Sequence, residues 1–202
     1  MYLQENTMFV LLYYILIISS IATLVIAEVD SESYLWKQGL VQVATRGVSA
    51  CTRTSELVER YKTFAIQSVN ASKNQYRDTA YQAEKKIEHF KFAHRNYIQA
   101  EKHYKEALEL LTKAKTMYET AKGSIMRAQD EQLPTYRVLA SNQIKSADKI
   151  YHKAKDIILE GNRAFNQGIR YFNTGVDNFE LETNEPLPKR YKFHRWPVEK
   201  LQ

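Results

Sequence analysis

The sequence predicts an all-α protein, an elongated antiparallel helical bundle or coiled coil of about three long helices with Ala/Gly-rich heptad seams. Three observations carry this expectation. Small and large apolar residues recur at alternating spacings of three and four along most of the chain. Gly and Pro number only six and four in 202 residues, too few for the turns of an all-β fold. Hydrophobic residues make up 44% and charged residues 26%, enough to fill a core and still solvate the outer helix faces.

The first element stands apart from the bundle. Residues 9–27, FVLLYYILIISSIATLVIA, carry no charge, and Val25 and Ala27 supply small residues at the −3 and −1 positions of a cleavage site. That is the layout of a secretory signal peptide over residues 1–27. The segment before it lacks Lys and Arg, and the apolar run is long enough to span a bilayer. A retained signal anchor is therefore the alternative, with the bulk of the chain outside the membrane. In either case the remainder is expected to be luminal or extracellular. Asn70-Ala71-Ser72 is then an N-glycosylation acceptor. Cys51 is the sole cysteine, so no disulfide forms within the chain. It is read either as a small core residue on the seam or as an interchain disulfide to a second copy.

The first helix is expected over about 33–70. Val41, Val48, Ser55, Lys62 and Val69 keep a seven-residue period, with Ala44, Cys51, Val58, Ala65 and Ser72 as the offset series. Ser55 and Lys62 interrupt the stripe, Gly39 and Gly47 lower helix propensity, and Tyr61 and Phe64 add apolar surface on a neighbouring face. The stretch NASKN at 70–74 reads as an exposed bend, because Asn and Ser favour caps and turns. The alternative is one unbroken helix over 33–129, since the phase is not lost there.

The second helix, about 75–129, is the most regular. Ala83, Phe90, Tyr97, Tyr104, Leu111, Tyr118 and Ile125 form one series. Lys86, Ala93, Ala100, Ala107, Ala114, Ala121 and Ala128 form the other, and only Lys86 is out of character. Alternating steps of three and four keep such residues on one face, since 3.5 is close to the 3.6 residues of a helical turn. Pro134 within QDEQLPT ends this run, and a short turn there makes the flanking helices antiparallel neighbours. The third helix, about 135–181, sets Ala140, Ala147, Ala154, Gly161, Gly168 and Gly175 against Ile144, Tyr151, Ile158, Phe165, Phe172 and Phe179. Small seam residues let backbones approach closely, and large partners fill the grooves beside them. Over residues 83–179 this arrangement resembles the Ala-seamed antiparallel coiled coils called Alacoils, a resemblance of packing type that implies no activity.

Residues 183–202 form a basic aromatic tail. Pro186, Pro188 and Pro197 forbid a continued helix, and Lys189, Arg190, Tyr191, Lys192, Phe193, Arg195 and Trp196 interleave cations with aromatic rings. Such a tail either folds back on the helices or binds a partner.

The chemistry of catalysis is not in view. The histidines at 89, 94, 103, 152 and 194 lack zinc spacing, and the chain holds no GxSxG or phosphate-binding glycine loop. The net charge of +6 is interspersed along the helices, as on solvated faces. The expectation is a secreted, non-enzymatic coiled-coil glycoprotein without a cofactor, acting on an unknown protein partner or by self-association. Nucleic acid is not an expected partner, and a membrane is one only if the first segment is retained. The alternatives are a membrane-anchored extracellular stalk and an amphipathic-helix lipid carrier.

Overall fold

The computed structural model describes residues 39–68, 70, 77–131 and 133–183, with side chains omitted for 77–86 and 179–183. The expected signal segment, residues 33–38, the centre of the 70–74 bend and the tail with Lys189 to Trp196 lie outside the described residues. Every described residue but those of the 131–133 turn is helical. We label the helices α1 (39–68), α2 (Arg77–Asp130) and α3 (Pro134–Thr183). At 1.5 Å per residue, α2 and α3 are about 80 and 75 Å long.

The α2 and α3 stripes meet. Phe90, Tyr97, Tyr104 and Leu111 are buried, as are the alanines at 93, 100, 107, 114, 121 and 128. On α3 the buried set is Ala140, Ala147, Ala154, the three glycines, and Tyr151, Ile158, Phe165 and Phe172. Tyr118, Ile125 and Ile144 are half-buried. Each α3 glycine faces an aromatic ring of α2. A Cβ built on Gly161 would lie 3.0 Å from the Tyr104 ring, one on Gly168 2.7 Å from Tyr97, and one on Gly175 3.0 Å from Phe90. Seven residues up one helix match seven residues down the other, so α2 and α3 run in opposite directions.

The turn between them is tight. The Glu131 N–H donates to the Arg127 carbonyl at 2.9 Å, closing α2. The Tyr136 N–H donates to the Leu133 carbonyl at 3.2 Å, opening α3. Pro134 takes the first helical position, where its missing N–H has no partner to lose.

Helix α1 lies against both partners. A Cβ on Gly47 would meet the Tyr104 ring at 2.7 Å. The Tyr61 ring sits 6.1 Å from Phe90 and 5.1 Å, edge-on, from Phe172. Hence α1 is antiparallel to α2 and parallel to α3. The chain reverses between residues 68 and 77, which excludes one continuous helix over 33–129.

The seam expected for α1 needs correction in half of its positions. Ala44, Cys51, Val58 and Ala65 are buried as read, but Val41 is 41% exposed, and Val48, Ser55 and Lys62 are only half-buried. Their places are taken one residue earlier, by Leu40, Gly47, Thr54 and Tyr61. Both choices alternate threes and fours, so periodicity could not separate them. The deciding constraint is steric: a Cβ at position 47 would lie 2.7 Å from the Tyr104 ring and force it to shift. Thr54 tolerates burial because its hydroxyl donates to the Ala50 carbonyl at 2.7 Å.

Tyr104 thus lies between glycines of two helices. Its hydroxyl donates to Asn162 Oδ1 at 2.5 Å, while Asn162 Nδ2 finds no partner among the described residues. Two heptads nearer the turn, the Tyr118 hydroxyl donates to the Asp148 carboxylate in the same relative position.

Two predictions follow from the sockets. Gly123 is also helical but a Cβ there meets nothing within 4 Å, so Gly123→Ala should stabilise the protein by about 1 kcal/mol through helix propensity alone. Gly47→Ala gains the same propensity but crowds a ring that Gly161 prevents from moving away. Overpacking of about 1–3 kcal/mol then makes it net destabilising. Thermal melts of the two variants should therefore move in opposite directions. Tyr104→Phe, which strips Asn162 of its one partner, should cost about 1–3 kcal/mol in urea unfolding, although no ring contact is lost.

Candidate interaction site at the hairpin end

The candidate site is a surface, because the described helices enclose no deep cleft. Most large apolar side chains are spent in the seams. Among those left exposed, Val41, Ile66, Phe92 and Ile98 are scattered along α1 and α2. The others gather at the turn: Met126, Leu133, Val138 and Leu139 are 57, 46, 62 and 47% exposed. In the register that sets Tyr97 against Gly168, Met126 is level with Leu139. Single exposed apolar residues are ordinary, but a group of four beside one turn is a candidate contact surface.

Local structure explains their exposure. Ala128 and Ala140 occupy the seam beneath them and are 2% exposed. These small residues draw α2 and α3 together and leave no groove to receive the outer side chains. The three-residue turn is too short to fold over them. Lys122, Arg127 and Arg137 on one hand, and Asp130 and Glu131 on the other, give the apolar group a mixed charged rim.

Other groupings have less to offer. A solvent-open groove of about 440 Å³ between α1 and α2 is lined by Thr52, Ser55, Glu56, Glu59, Arg60 and Glu101. Its Glu59 carboxylate receives Lys62 at 2.6 Å and lies 3.4 Å from His94 Nε2. His94 Nδ1 in turn hydrogen-bonds the Ser55 hydroxyl at 3.0 Å. His103 approaches Glu160 of α3 at 3.8 Å. These histidines tie helices together. Among the described residues, no group of three or more His, Cys, Asp or Glu side chains is placed to hold a metal ion.

The residues singled out from sequence fall as follows. Asn70 is exposed at the far end of α1. Cys51 is free and wholly buried, on the seam of α1. Burial, and secondarily the Glu101 carboxylate, pushes its thiol up to about 12. The Tyr97 and Tyr104 hydroxyls are raised as well, first by burial and then by proximity to Cys51. A bridge from Cys51 to a second chain would require this core to open. The hairpin-end residues were missed by the sequence reading. Their signal was present: Met126, Leu133, Val138 and Leu139 are large apolar residues lying off the seam phase.

No protein-family model, curated protein or solved structure matches this chain.

A buried, raised thiol has two measurable consequences. Cys51 should react with a thiol reagent at neutral pH only after unfolding, since the reactive species is the thiolate. The folded form also holds its proton to higher pH than the unfolded form. Unfolding stability should therefore fall as pH rises from about 9 towards 12, and Cys51→Ala should remove that part of the decline, as read from urea midpoints across the range.

Proposed function

We propose that this chain is a secreted, non-enzymatic helical protein that acts by binding another protein through the end of the α2–α3 hairpin. The observation that carries the reading is the group of exposed apolar side chains at Met126, Leu133, Val138 and Leu139. A rigid helix pair presenting such residues suits insertion into an apolar groove of a partner, with the charged rim setting orientation. Secretion is supported by the signal-peptide layout of residues 1–27. The exposed Asn70 is consistent with a glycoprotein. The lipid-carrier alternative fits less well. Its helices would need broad apolar faces, whereas the seams here are narrow rows of Ala and Gly that are already filled.

The test has two parts. Expressed in eukaryotic cells, the protein should appear in the medium beginning at Glu28, with excess mass removed by deglycosylation. A photo-crosslinking amino acid placed at Val138 should then give a discrete protein adduct on target cells. Placed at the exposed Lys149, on the same helix, it should give none. Equal labelling at both positions, or adducts to lipid alone, would remove the hairpin-end reading. A full-length chain retained in the membrane fraction would replace secretion with anchoring.

A further inference from the structure

The two flanks of the α2–α3 pair are unlike. Helix α1 lies against one, where Ser55 and Glu59 reach His94. The other is marked at both ends by contacts across the pair. At one end His89 and Phe92 approach the Tyr171 ring, with centroids 6.3 and 5.3 Å away. At the other the Ser124 hydroxyl donates to Gln143 Oε1 at 3.3 Å. Between them His103 Nδ1 lies 3.8 Å from Glu160 Oε2. Residues in heptad phase with these contacts share this second flank. On α2 they include Leu110 and Met117, one and two heptads after His103. On α3 they include Ile150 and Ile157, one and two heptads after Gln143. Leu110, Met117 and Ile150 are half-buried, and together with Ile157 they form an apolar strip on the flank away from α1.

The edges of this strip carry charge in a fixed order. The α2 edge, in phase with Phe92, presents Glu106 and then Lys113. The α3 edge, in phase with Glu160, presents Glu160 itself and Lys153. In the register of the glycine sockets, Glu160 is level with residue 105 of α2 and Lys153 with residue 112. Each edge thus has an acid and, one heptad or about 10 Å nearer the turn, a base. All four are exposed, and among the described residues Glu106, Lys113 and Lys153 have no ion-pair partner. Midway between acids and bases lie Leu110 and Ile157, the latter level with residue 108. Farther out, the stacked Phe92–Tyr171 pair stands on one side of that midpoint. Arg127, in phase with Lys113, and Leu139, in phase with Lys153, stand on the other. Both groups are about 17 residues, or about 25 Å, from it.

We propose that this flank is a self-association surface and that its occupant is the same flank of a second copy. The copies meet antiparallel, about a two-fold axis that crosses the strip at the level of Leu110 and Ile157. Such an axis sets residues against one another at equal distances from it. Glu106 then faces Lys113 of the second copy and Glu160 faces its Lys153, which gives four ion pairs over the whole interface. Leu110 and Ile157 meet their own counterparts at the centre. The Phe92–Tyr171 pair meets Leu139 and Arg127 of the second copy, so that Phe92 and Leu139, 40 and 47% exposed, are covered at both ends. The order of charge along the edges is what selects a second copy. The flank is complementary to itself turned end for end, whereas a parallel arrangement would set like charges together. A strip about 50 Å long and about 15 Å wide covers on the order of 750 Å² per copy, near the ~800 Å² per partner of a standard interface. The surface is independent of the hairpin-end reading, since of that group only Leu139 is in phase with this flank.

The test is analytical ultracentrifugation of the full chain with reductant present, so that Cys51 cannot bridge two copies. The parent should sediment as a dimer at micromolar concentration. Lys113→Glu with Lys153→Glu makes both edges acidic and should weaken self-association about thirtyfold, the combined effect of four exposed ion pairs. Glu106→Lys with Glu160→Lys makes both edges basic and should do the same. An equimolar mixture of the two double variants should recover dimers, because each then complements the other and not itself. The control Lys122→Glu with Lys149→Glu, which reverses equal charge off this flank, should leave the parent dimer unchanged. Unaltered thermal melts keep the comparison free of unfolding. A monomeric parent overturns the proposal and leaves the flank to a different chain. Dimers that persist in both double variants, or a mixture that stays monomeric, overturn it equally.

Discussion

The contact of the Tyr104 ring with two glycines is the constraint on which the rest of the bundle depends. Gly47 and Gly161 belong to helices that never pair through large side chains at this level; each comes close because it has no Cβ. The ring fills the space left between three backbones, and its buried hydroxyl is tied to Asn162. The same device recurs at Tyr97 with Gly168 and at Phe90 with Gly175. Three rings in three sockets fix the axial position of α3 against α2 more sharply than alanines alone could. Alanine seams slide easily, whereas a tyrosine displaced by one turn meets a Cβ or an empty groove. Position, and with it the level of every surface residue, is inherited from these sockets.

Much of this architecture was legible in the residues. The alternation of small and large apolar residues on α2 and α3 marked the faces that are buried. Pro134 is the first residue of α3. What could not be read was the choice between two equally periodic stripes on α1. Val41 and Val48 look better suited to a core than Gly47, and only the facing ring, contributed by a residue 57 positions later, reverses that judgement. The surface was less legible still. Heptad reading sorts residues into buried and exposed, and it discards apolar residues that fall off the stripe. Met126, Leu133, Val138 and Leu139 were lost in that way.

The absence of a deep pocket among the described residues follows from the same geometry. Helices that approach on Ala and Gly leave little volume between them. The groove beside Glu59 is open, and its carboxylate is already occupied by Lys62 and His94. Among the described residues, the outer faces and the hairpin end are what the bundle leaves open to a partner.

The glycines of α3 have one more consequence, for cooperativity. Gly161, Gly168 and Gly175 each weaken an isolated helix by about 1 kcal/mol relative to Ala. The half of α3 that contains them is helical because α2 and α1 hold it so, and undocked it would have little reason to remain a helix. Separation of the helices and loss of their secondary structure are then a single event. A protein built this way does not open like a hinge with intact arms; it is closed, or it melts.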